Sequence, residues 1–429
     1  MKKNRVVALL LCAALLLSGF TNTMVKAAGA TGKQTAQKSK WPSGPSKSSL
    51  SSDSAIVMEL STGTILYRKN IHKQHYPASI TKIMTAYLAC KYGKFDDTLT
   101  ASHNAIYGIG QGSSIIGIQE GEQISFLDGL YGIMMESANE VCMMVAEHID
   151  GTVEKFVERM NKQAQDWGCK DTHFNNPHGF HDVNHYTTPY DMSLIAYNAI
   201  KDENFSKIWG TVDHTIPATN KNPQRFLHNK DKMLKPTSDY YYQYAIGGKT
   251  GFHDDAKNTL VTCAEKDGVK LISVVMKANG YNQAYTDSKT LLDYGFSVYK
   301  DNKVYTGGTY TDKIPVYQTY LSEDYNVGEL NVTVAGDVSA KLPSFVSAKD
   351  VKTKAVINYS KDNNDKKIYA PIKGGDKIGT MEFTYKDKTI ATADITASNT
   401  VEAKSDKQLA EMKLINNVKS FLHMILNAL

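Results

Sequence analysis

The sequence predicts an α+β fold for roughly its first 300 residues, followed by a small all-β region and a C-terminal amphipathic helix. Three patterns support this prediction. A β-hairpin pattern at residues 55–69 and strand patterns after residue 244 enclose a long stretch with helical periodicity. From residue 304 the apolar segments are short and are separated by Gly, Asp and Asn. A chain of 429 residues is long enough for about two to three such cores.

The N-terminus has the pattern of a secretory signal peptide over residues 1–30. Three basic residues precede an apolar run at residues 6–17, and small residues follow that run. The run is shorter than the ~20 residues of an ordinary membrane span. Residues 31–52 are rich in Ser, Lys, Gly, Gln and Pro, which predicts a flexible linker. We therefore expect an exported protein.

Residues 53–302 are predicted to form one α+β domain. The hairpin turns at residues 61–63, and a helix is expected between Pro77 and Gly93, because Pro suits a first helical turn and Gly an end. Helical periodicity then dominates residues 125–200. Three consecutive antiparallel strands are expected from about residue 244, in the segments 243–251, 258–266 and 269–278, before a helix at 283–299.

Residues 303–402 are predicted to form an independent all-β domain, and 403–429 an amphipathic helix. On a helical wheel the apolar residues of the tail share one face: Leu414, Ile415, Val418, Phe421, Leu422, Ile425, Leu426 and Leu429. Such a face can sink into the headgroup region of a bilayer, which favours peripheral anchoring to a membrane. Docking of the helix on its own domain is the alternative.

The net charge of +5 does not indicate nucleic-acid binding. Residues 49–403 hold 37 basic against 42 acidic residues, so the surplus lies in the leader, linker and tail. The segment GGKT resembles a phosphate-binding loop, but that motif needs Gly where Gln243 stands, so no nucleotide is expected. The four cysteines after the leader have no metal-type spacing, and no cofactor is predicted.

Ser79 and Lys82 are the first candidates for chemistry. Their spacing at the start of a helix puts the hydroxyl and the amine on one face. A serine is a weak nucleophile unless a base accepts its proton, and a lysine can be that base when its pKa is depressed. The Ser-x-x-Lys spacing alone often occurs by chance. The alternative interpretation is that Lys82 is an exposed lysine on a surface helix.

Two further motifs make the pattern specific. Ser137, Ala138 and Asn139 lie in a helical apolar stretch, and Lys249, Thr250 and Gly251 lie on a predicted strand. Serine-x-x-lysine, serine-x-asparagine and lysine-threonine-glycine, in this order, are typical of penicillin-binding proteins and active-site-serine β-lactamases.

The chain resembles the serine-type D-alanyl-D-alanine carboxypeptidases, a family of low-molecular-mass penicillin-binding proteins. The likeness includes PASITKIMTAYLA, NPHGFHDVNHYTTPYDM, GGKTGFHDDAKNTLV and LLDYGF, and it extends to the β-rich segment and the tail. It implies a penicillin-binding-protein-like fold, and a D-Ala-D-Ala peptidoglycan stem peptide as substrate. It further implies inhibition by β-lactams and a place at the outer face of the cytoplasmic membrane or in the cell wall.

The resemblance also implies a role for each residue of the first two motifs. Ser79 would attack the carbonyl between the last two D-alanines, and Lys82 would accept its proton. Ser137 would relay a proton to the leaving D-alanine. Asn139 would hold Lys82 and the substrate amide.

The third motif is implied to bind the substrate. Lys249 and Thr250 would bind the terminal carboxylate, and Gly251 would leave room for the substrate along the strand edge. The oxyanion hole would be formed by the backbone N–H groups of Ser79 and Phe252. Gly248 departs from the family, which usually has a larger apolar residue there.

Several alternatives stay open. A D,D-endopeptidase or a β-lactamase could use the same residues, although Glu154 and Glu158, on a helix with a structural pattern, do not suggest a dedicated deacylation carboxylate. A non-catalytic cell-wall-binding module would not need the intact motifs. His178, His181 and His185 could form a zinc cluster, but no helix-borne H-E-x-x-H accompanies them, and no metal is predicted.

Overall fold

A computed structural model of the protein describes residues 43–280, 282–360 and 366–428. The predicted signal peptide and the first part of the predicted linker lie outside the described residues. The end of that linker packs against the fold: Leu50 is buried, and the backbone N–H groups of Ser51 and Ser52 donate to the Asp287 carboxylate. The last residues of the predicted linker therefore make defined contacts with the fold.

The first part of the described chain, residues 52–298, is called here the α+β region. Its strands are β1 (Ser52–Glu59), β2 (Ile65–Lys69), β3 (Thr98–Thr100), β4 (Gln123–Ser125), β5 (Asp213–Ile216), β6 (Arg225–His228), β7 (Ala245–His253), β8 (Lys257–Lys266) and β9 (Val269–Ala278). Five of them form an antiparallel sheet in the order β2-β1-β9-β8-β7. The predicted hairpin is β1–β2, and the three predicted strands are β7, β8 and β9. Strand β7, which carries the third motif, lies at an edge of the sheet.

The helices of this region are α1 (Lys82–Tyr92), α2 (His103–Tyr107), α3 (Phe126–Tyr131), α4 (Asn139–Asp150), α5 (Val153–Asp166), α6 (Pro189–Ala199), α7 (Glu203–Trp209) and α8 (Gln283–Val298). A 3-10 helix at Ala78–Thr81 leads directly into α1. Helix α6 shows how the sequence sets a helix start, since the Thr188 side chain accepts a hydrogen bond from Asp191 N and Pro189 occupies the first turn.

The central sheet separates two apolar layers. Successive side chains of a strand point to opposite faces, so Ile56 and Val261 pack with α1 and α4, whereas Val57 and Leu260 pack with α8. The α+β arrangement predicted from the alternating strand patterns is confirmed. The edge strand β7 contacts the 3-10 helix Ala78–Thr81, which carries Ser79 and leads directly into Lys82 at the start of α1.

The second part, residues 299–403, is called the β-rich region. Its strands are β10 (Tyr299–Tyr305), β11 (Thr311–Tyr320), β12 (Glu323–Thr333), β13 (Val338–Pro343), β14 (Lys352–Ile357), β15 (Ile368–Tyr369), β16 (Lys377–Tyr385) and β17 (Lys388–Ala397). A six-stranded sheet, β14-β16-β17-β12-β11-β15, and a β10–β13 ribbon share one apolar core. Strand β10 starts directly after α8, so the change of architecture falls a few residues before the predicted limit at 302/303.

The chain described ends in helix α9 (Asp406–Ala428). Its first turns dock on the β-rich core, where Leu409 is buried and Met412 packs. Beyond this point the apolar side chains of the predicted face are exposed, Leu414 by 65% and Phe421 by 57%. In the structure, α9 contacts the β-rich core through these first turns. Among the described residues, no helix is both long enough and apolar enough to span a bilayer.

Candidate active site

Ser79 and Lys82 form a hydrogen-bonded pair. Lys82 Nζ lies 2.9 Å from Ser79 Oγ, 2.7 Å from Asn139 Oδ1 and 2.6 Å from the His178 carbonyl oxygen. The Lys82 side chain is fully buried. Its three contacts use the three donor positions of an ammonium, so the amine is held in one direction, toward the hydroxyl.

The turn that carries Ser79 is strained. Ala78, directly before it, has φ of 51°, a left-handed conformation that a residue with a Cβ rarely adopts. Gly179 packs against this turn, and a Cβ added to Gly179 would lie 1.9 Å from the Ala78 carbonyl oxygen. The Gly179 backbone therefore packs closely against Ala78 and helps to hold the left-handed conformation of Ala78 that positions Ser79.

Ser137 directly follows the π-helical turn Gly132–Glu136, and Asn139 is the first residue of α4. Ser137 has φ of 65° and ends that turn, and irregular helical turns of this kind are frequent at functional sites. Asn139 is fixed on both sides, since its Nδ2 donates to Ser113 Oγ at 3.0 Å and its backbone N donates to the Ser114 carbonyl oxygen at 2.8 Å.

Lys249 joins the second motif to the third. Its Nζ lies 3.2 Å from Ser137 Oγ and 2.9 Å from the Thr250 carbonyl oxygen, and its side chain is buried. Cavities of about 250 Å³ and 340 Å³ adjoin Ser79. Ser137, Thr250 and Gly251 line the first, and Asn139 and Phe252 line the second, with Phe252 shared by both. The structure thus brings together all the residues that the three motifs predicted.

Gly251 is required for a reason that the sequence did not suggest. A Cβ at this position would lie 2.8 Å from Ser79 N and 2.5 Å from Thr259 Oγ1. Thr259 Oγ1 in turn donates to the Pro77 carbonyl oxygen at 2.9 Å. The turn that carries Ser79 therefore occupies the space that a side chain at position 251 would need. This close packing places Ser79 N beside strand β7, which carries Phe252.

The pKa values of the two buried lysines, Lys82 and Lys249, are both lowered. Burial lowers the pKa of Lys82 to about 8, although Cys142 and Glu140 act in the opposite direction. Burial also lowers the pKa of Lys249 well below its usual value, and the nearby Lys82 lowers it further. A lysine with a pKa near 8 can accept a proton at neutral pH, as a general base for Ser79 requires.

A family whose description is D-alanyl-D-alanine carboxypeptidase matches residues 40–280. The chain belongs to the D-alanyl-D-alanine carboxypeptidase family. A second match, described as the C-terminal domain of penicillin-binding protein 5, spans residues 297–403. The resemblance inferred from the motifs is confirmed.

Individual members of this carboxypeptidase family cover most of the chain. D-alanyl-D-alanine carboxypeptidase DacF of Bacillus subtilis (strain 168) is 31% identical over 350 residues, which are 80% of this chain and 84% of DacF. DacA of Escherichia coli (strain K12) is 29% identical, over 81% of this chain and 82% of DacA. The crystal structure of penicillin binding protein 5 from Haemophilus influenzae has a TM-score of 0.57 and 29% identity, and covers 84% of this chain and 99% of its own.

Two buried carboxyl groups near this carboxypeptidase-family site were missed from the sequence. Glu140 Oε1 accepts a hydrogen bond from Ile116 N at 2.7 Å, and burial raises its pKa. Asp231 is 1% exposed and lies against Gly248. Glu140 directly follows Asn139, but no spacing rule connects Asp231 to the motifs, because the chain brings Asp231 to Gly248 through a loop.

The three histidines considered as a zinc cluster are not brought together. His185 Nε2 lies 2.8 Å from Thr81 Oγ1, and the His178 carbonyl oxygen accepts from Lys82, so both serve the fold around the site. His181 instead lies near His253 and Asp255, with one ligand atom of each within 4.8 Å of the others. His253 Nδ1 already accepts a hydrogen bond from Ala256 N at 3.2 Å, and we assign no metal to this group.

The remaining predicted features are structural. Cys90, Cys142, Cys169 and Cys263 are buried free thiols. Burial raises their pKa values, which makes them unreactive. Glu154 and Glu158 are exposed on α5 and line neither of the two cavities that adjoin Ser79.

Proposed function

We propose that the protein removes the terminal D-alanine from peptidoglycan stem peptides through an acyl-enzyme on Ser79. The observation that carries this proposal is the Ser79–Lys82 pair, with 2.9 Å between Nζ and Oγ and a fully buried lysine whose pKa is about 8. Membership of the carboxypeptidase family supports the same reaction.

Acylation uses Ser79, Lys82 and Ser137. Neutral Lys82 accepts the hydroxyl proton while Ser79 Oγ forms a bond to the carbonyl carbon of the penultimate D-alanine. The C–N bond then breaks, and the leaving amine of the terminal D-alanine takes a proton through Ser137. Water hydrolyses the ester, which restores the Ser79 hydroxyl and releases the shortened peptide. Asn139 keeps Lys82 Nζ in place during both steps.

Substrate binding uses the edge of the sheet. An extended peptide can add to β7 as a further strand, while Lys249 and Thr250 bind its terminal carboxylate. The backbone N–H groups of Ser79 and Phe252 would hold the oxyanion, since Gly251 lets Ser79 N approach β7. A β-lactam, with its carboxylate and strained amide, would use the same groups and acylate Ser79.

The test is release of D-alanine from diacetyl-L-Lys-D-Ala-D-Ala. The wild-type protein should release it, the Ser79→Ala variant should not, and a Ser48→Ala variant at an exposed serine should behave as wild type. Absence of D-alanine release together with absence of covalent penicillin binding would favour the non-catalytic cell-wall-binding module.

Two other enzyme activities on this fold can be distinguished from the carboxypeptidase by their preferred substrates. A β-lactamase would hydrolyse benzylpenicillin rapidly, whereas the exposed Glu154 and Glu158 offer no deacylation carboxylate to Ser79, so we expect a long-lived acyl-enzyme. A D,D-endopeptidase would cleave cross-linked muropeptide dimers faster than pentapeptide monomers. Faster turnover of either competitor substrate than of the pentapeptide would replace the carboxypeptidase proposal.

The site works outside the cell, with α9 on the membrane surface. The signal-peptide pattern of residues 1–30 supports export, and the exposed apolar residues of α9 support interfacial binding, with Lys419 attracted to anionic lipids. Deleting residues 413–429 retains Leu409 in the β-rich core and should release the protein from vesicles without loss of D-alanine release. Loss of folding after this deletion would indicate that the whole helix docks. The limits 53–302 and 303–402 for a catalytic and a β-rich domain stay a prediction.

A further inference from the structure

Glu140 is a buried carboxyl group that the reaction above does not use. It follows Asn139 in the first turn of α4 and is 1% exposed. Its Oε1 accepts a hydrogen bond from Ile116 N at 2.7 Å. Burial of a carboxyl group costs free energy, so its retention calls for a structural or functional reason. An acidic residue in the first turn also stabilises a helix, which is the purely structural alternative.

Residues 113–116 form a segment that is held against the start of α4. Asn139 N donates to the Ser114 carbonyl oxygen at 2.8 Å, and Asn139 Nδ2 donates to Ser113 Oγ at 3.0 Å. Glu140 adds the third hydrogen bond. Ser113 and Ser114 also line the larger of the two cavities described above. The segment is therefore a wall of the site, and two successive residues of one helix fix it.

The Asn139 side chain decides where the lone pair of neutral Lys82 points. An amine that has lost one proton has two N–H donors and one lone pair. Asn139 Oδ1 and the His178 carbonyl oxygen, at 2.7 and 2.6 Å from Nζ, accept the two N–H groups. The lone pair is then left for the Ser79 hydroxyl, at 2.9 Å. Without the Asn139 acceptor, Ser79 Oγ would accept an N–H group instead, and the lone pair would no longer face the hydroxyl proton.

We propose that Glu140 is a positioning residue that holds the 113–116 segment and thereby keeps the Asn139 amide against Lys82. The lone pair of the neutral amine then faces Ser79. The link is the hydroxyl of the segment that accepts from Asn139 Nδ2. The inference rests on the proposed function, since it concerns the base of that reaction.

The first test compares two carboxyl groups of α4. Glu140→Ala removes an anchor of the 113–116 segment. Glu147→Ala removes the acceptor of Ser102 Oγ and Asn104 Nδ2, and these two residues line neither cavity of the site. The measured quantity is the second-order rate of acylation by benzylpenicillin on the high-pH plateau, where the base is neutral in every variant. We expect Glu140→Ala to lower this rate about ten- to a hundredfold and Glu147→Ala to leave it unchanged.

Glu140→Gln is the conservative variant, because its amide oxygen can still accept a hydrogen bond from Ile116 N. It should keep most of the wild-type plateau rate although the charge is lost. A purely structural role in α4 would lower the Tm of Glu140→Ala and leave the plateau rate of the folded protein equal to that of the wild type. That result would overturn the inference.

The second test is Ser113→Ala, which removes the partner of Asn139 Nδ2 and leaves Glu140 in place. It decides the question even if Glu140→Ala does not fold, and it should lower the plateau rate within the same range. The double variant should be no slower than the slower single variant, because residues that act through one group are not additive. A wild-type rate in Ser113→Ala, or multiplied effects in the double variant, would contradict the link. Absence of Ser79 acylation in the wild type would instead refute the proposed function.

Discussion

The α+β region and the β-rich region differ in what they bury. Around Ser79 the structure buries Lys82, Lys249, Asp231 and Glu140, and it holds Ala78 and Ser137 in left-handed conformations. Among the described residues of the β-rich region and α9, the buried side chains are apolar, and pairs such as Lys313–Glu329 lie at the surface.

The difference shows where the fold accepts a loss of stability in order to place reactive groups. Burial of an ionisable group costs free energy, and it also shifts the pKa of that group toward a catalytic range. The β-rich region has the ordinary pattern of an apolar core. Substitutions near Ser79 should therefore change rates more than stability, and substitutions in the β-rich core should do the reverse.

The largest effect is expected for Lys82→Met. Without the base, acylation of Ser79 by benzylpenicillin should slow by about a thousand- to ten-thousand-fold. The Tm should change little, because removal of a buried ammonium offsets the unpaired acceptors left at Asn139 and His178. Stopped-flow acylation and thermal melting measure the two quantities. Lys91→Met on the same helix, at an exposed position, is the control, and an equal effect on rate in both variants would contradict the role of Lys82.

The opposite pattern is expected for Phe383→Ala. Phe383 is fully buried in the β-rich core, with its ring centroid 5.5 Å from that of Tyr305. Its removal should lower the free energy of unfolding by about 3–5 kcal/mol, whereas Phe421→Ala, at an exposed position of α9, should change it by less than about 0.5 kcal/mol. The acylation rate of the folded protein should equal that of the wild type. A large loss of that rate would mean that the two regions are coupled.

The pH dependence of acylation tests the buried charge directly. A base with a pKa of about 8 is about 1% neutral at pH 6 and half neutral at pH 8, so the second-order acylation rate should rise roughly fiftyfold over this range and then level off. The sign follows from the mechanism, since only the neutral amine accepts the proton of Ser79. A flat profile between pH 6 and 9 would argue against Lys82 as the base.

A smaller effect is expected for Gly179→Ala. A Cβ here meets the Ala78 carbonyl oxygen, and Gly179 itself has φ of 86°, so the substitution should cost about 1–3 kcal/mol of stability. It should also slow acylation about tenfold, because the turn that presents Ser79 must move. Gly151→Ala, with φ of 78° and open space around it, isolates the backbone cost. Equal acylation rates in the two variants would show that the Ala78 contact does not position Ser79.

The sequence predicted the main elements for identifiable reasons. Period-two and helical patterns located the β1–β2 hairpin, strands β7 to β9 and helix α8, because these elements bury one or both faces. The three motifs also predicted a cluster of Ser79, Lys82, Ser137, Asn139 and Lys249, because the expected chemistry requires those residue types in that order, and the structure places these side chains together.

Other parts of the site could not be read from the sequence. The His178 carbonyl oxygen carries no side-chain signal, and the approach of Gly179 to Ala78 depends on folding of residues about 100 apart. Asp231 reaches Gly248 through a loop, and the nearness of His181 to His253 depends on tertiary contacts. The contacts of Ser51 and Ser52 also could not be predicted, because their partner Asp287 lies far along the chain.

The most direct test of the central claim is the site of covalent penicillin binding. The protein is incubated with benzylpenicillin, digested, and analysed by mass spectrometry, with Ser79→Ala and Ser48→Ala proteins in parallel. A single adduct should appear on the peptide that contains Ser79, in the wild type and in Ser48→Ala but not in Ser79→Ala. An adduct on another residue, or one that persists in Ser79→Ala, would contradict the assignment of Ser79 as the nucleophile.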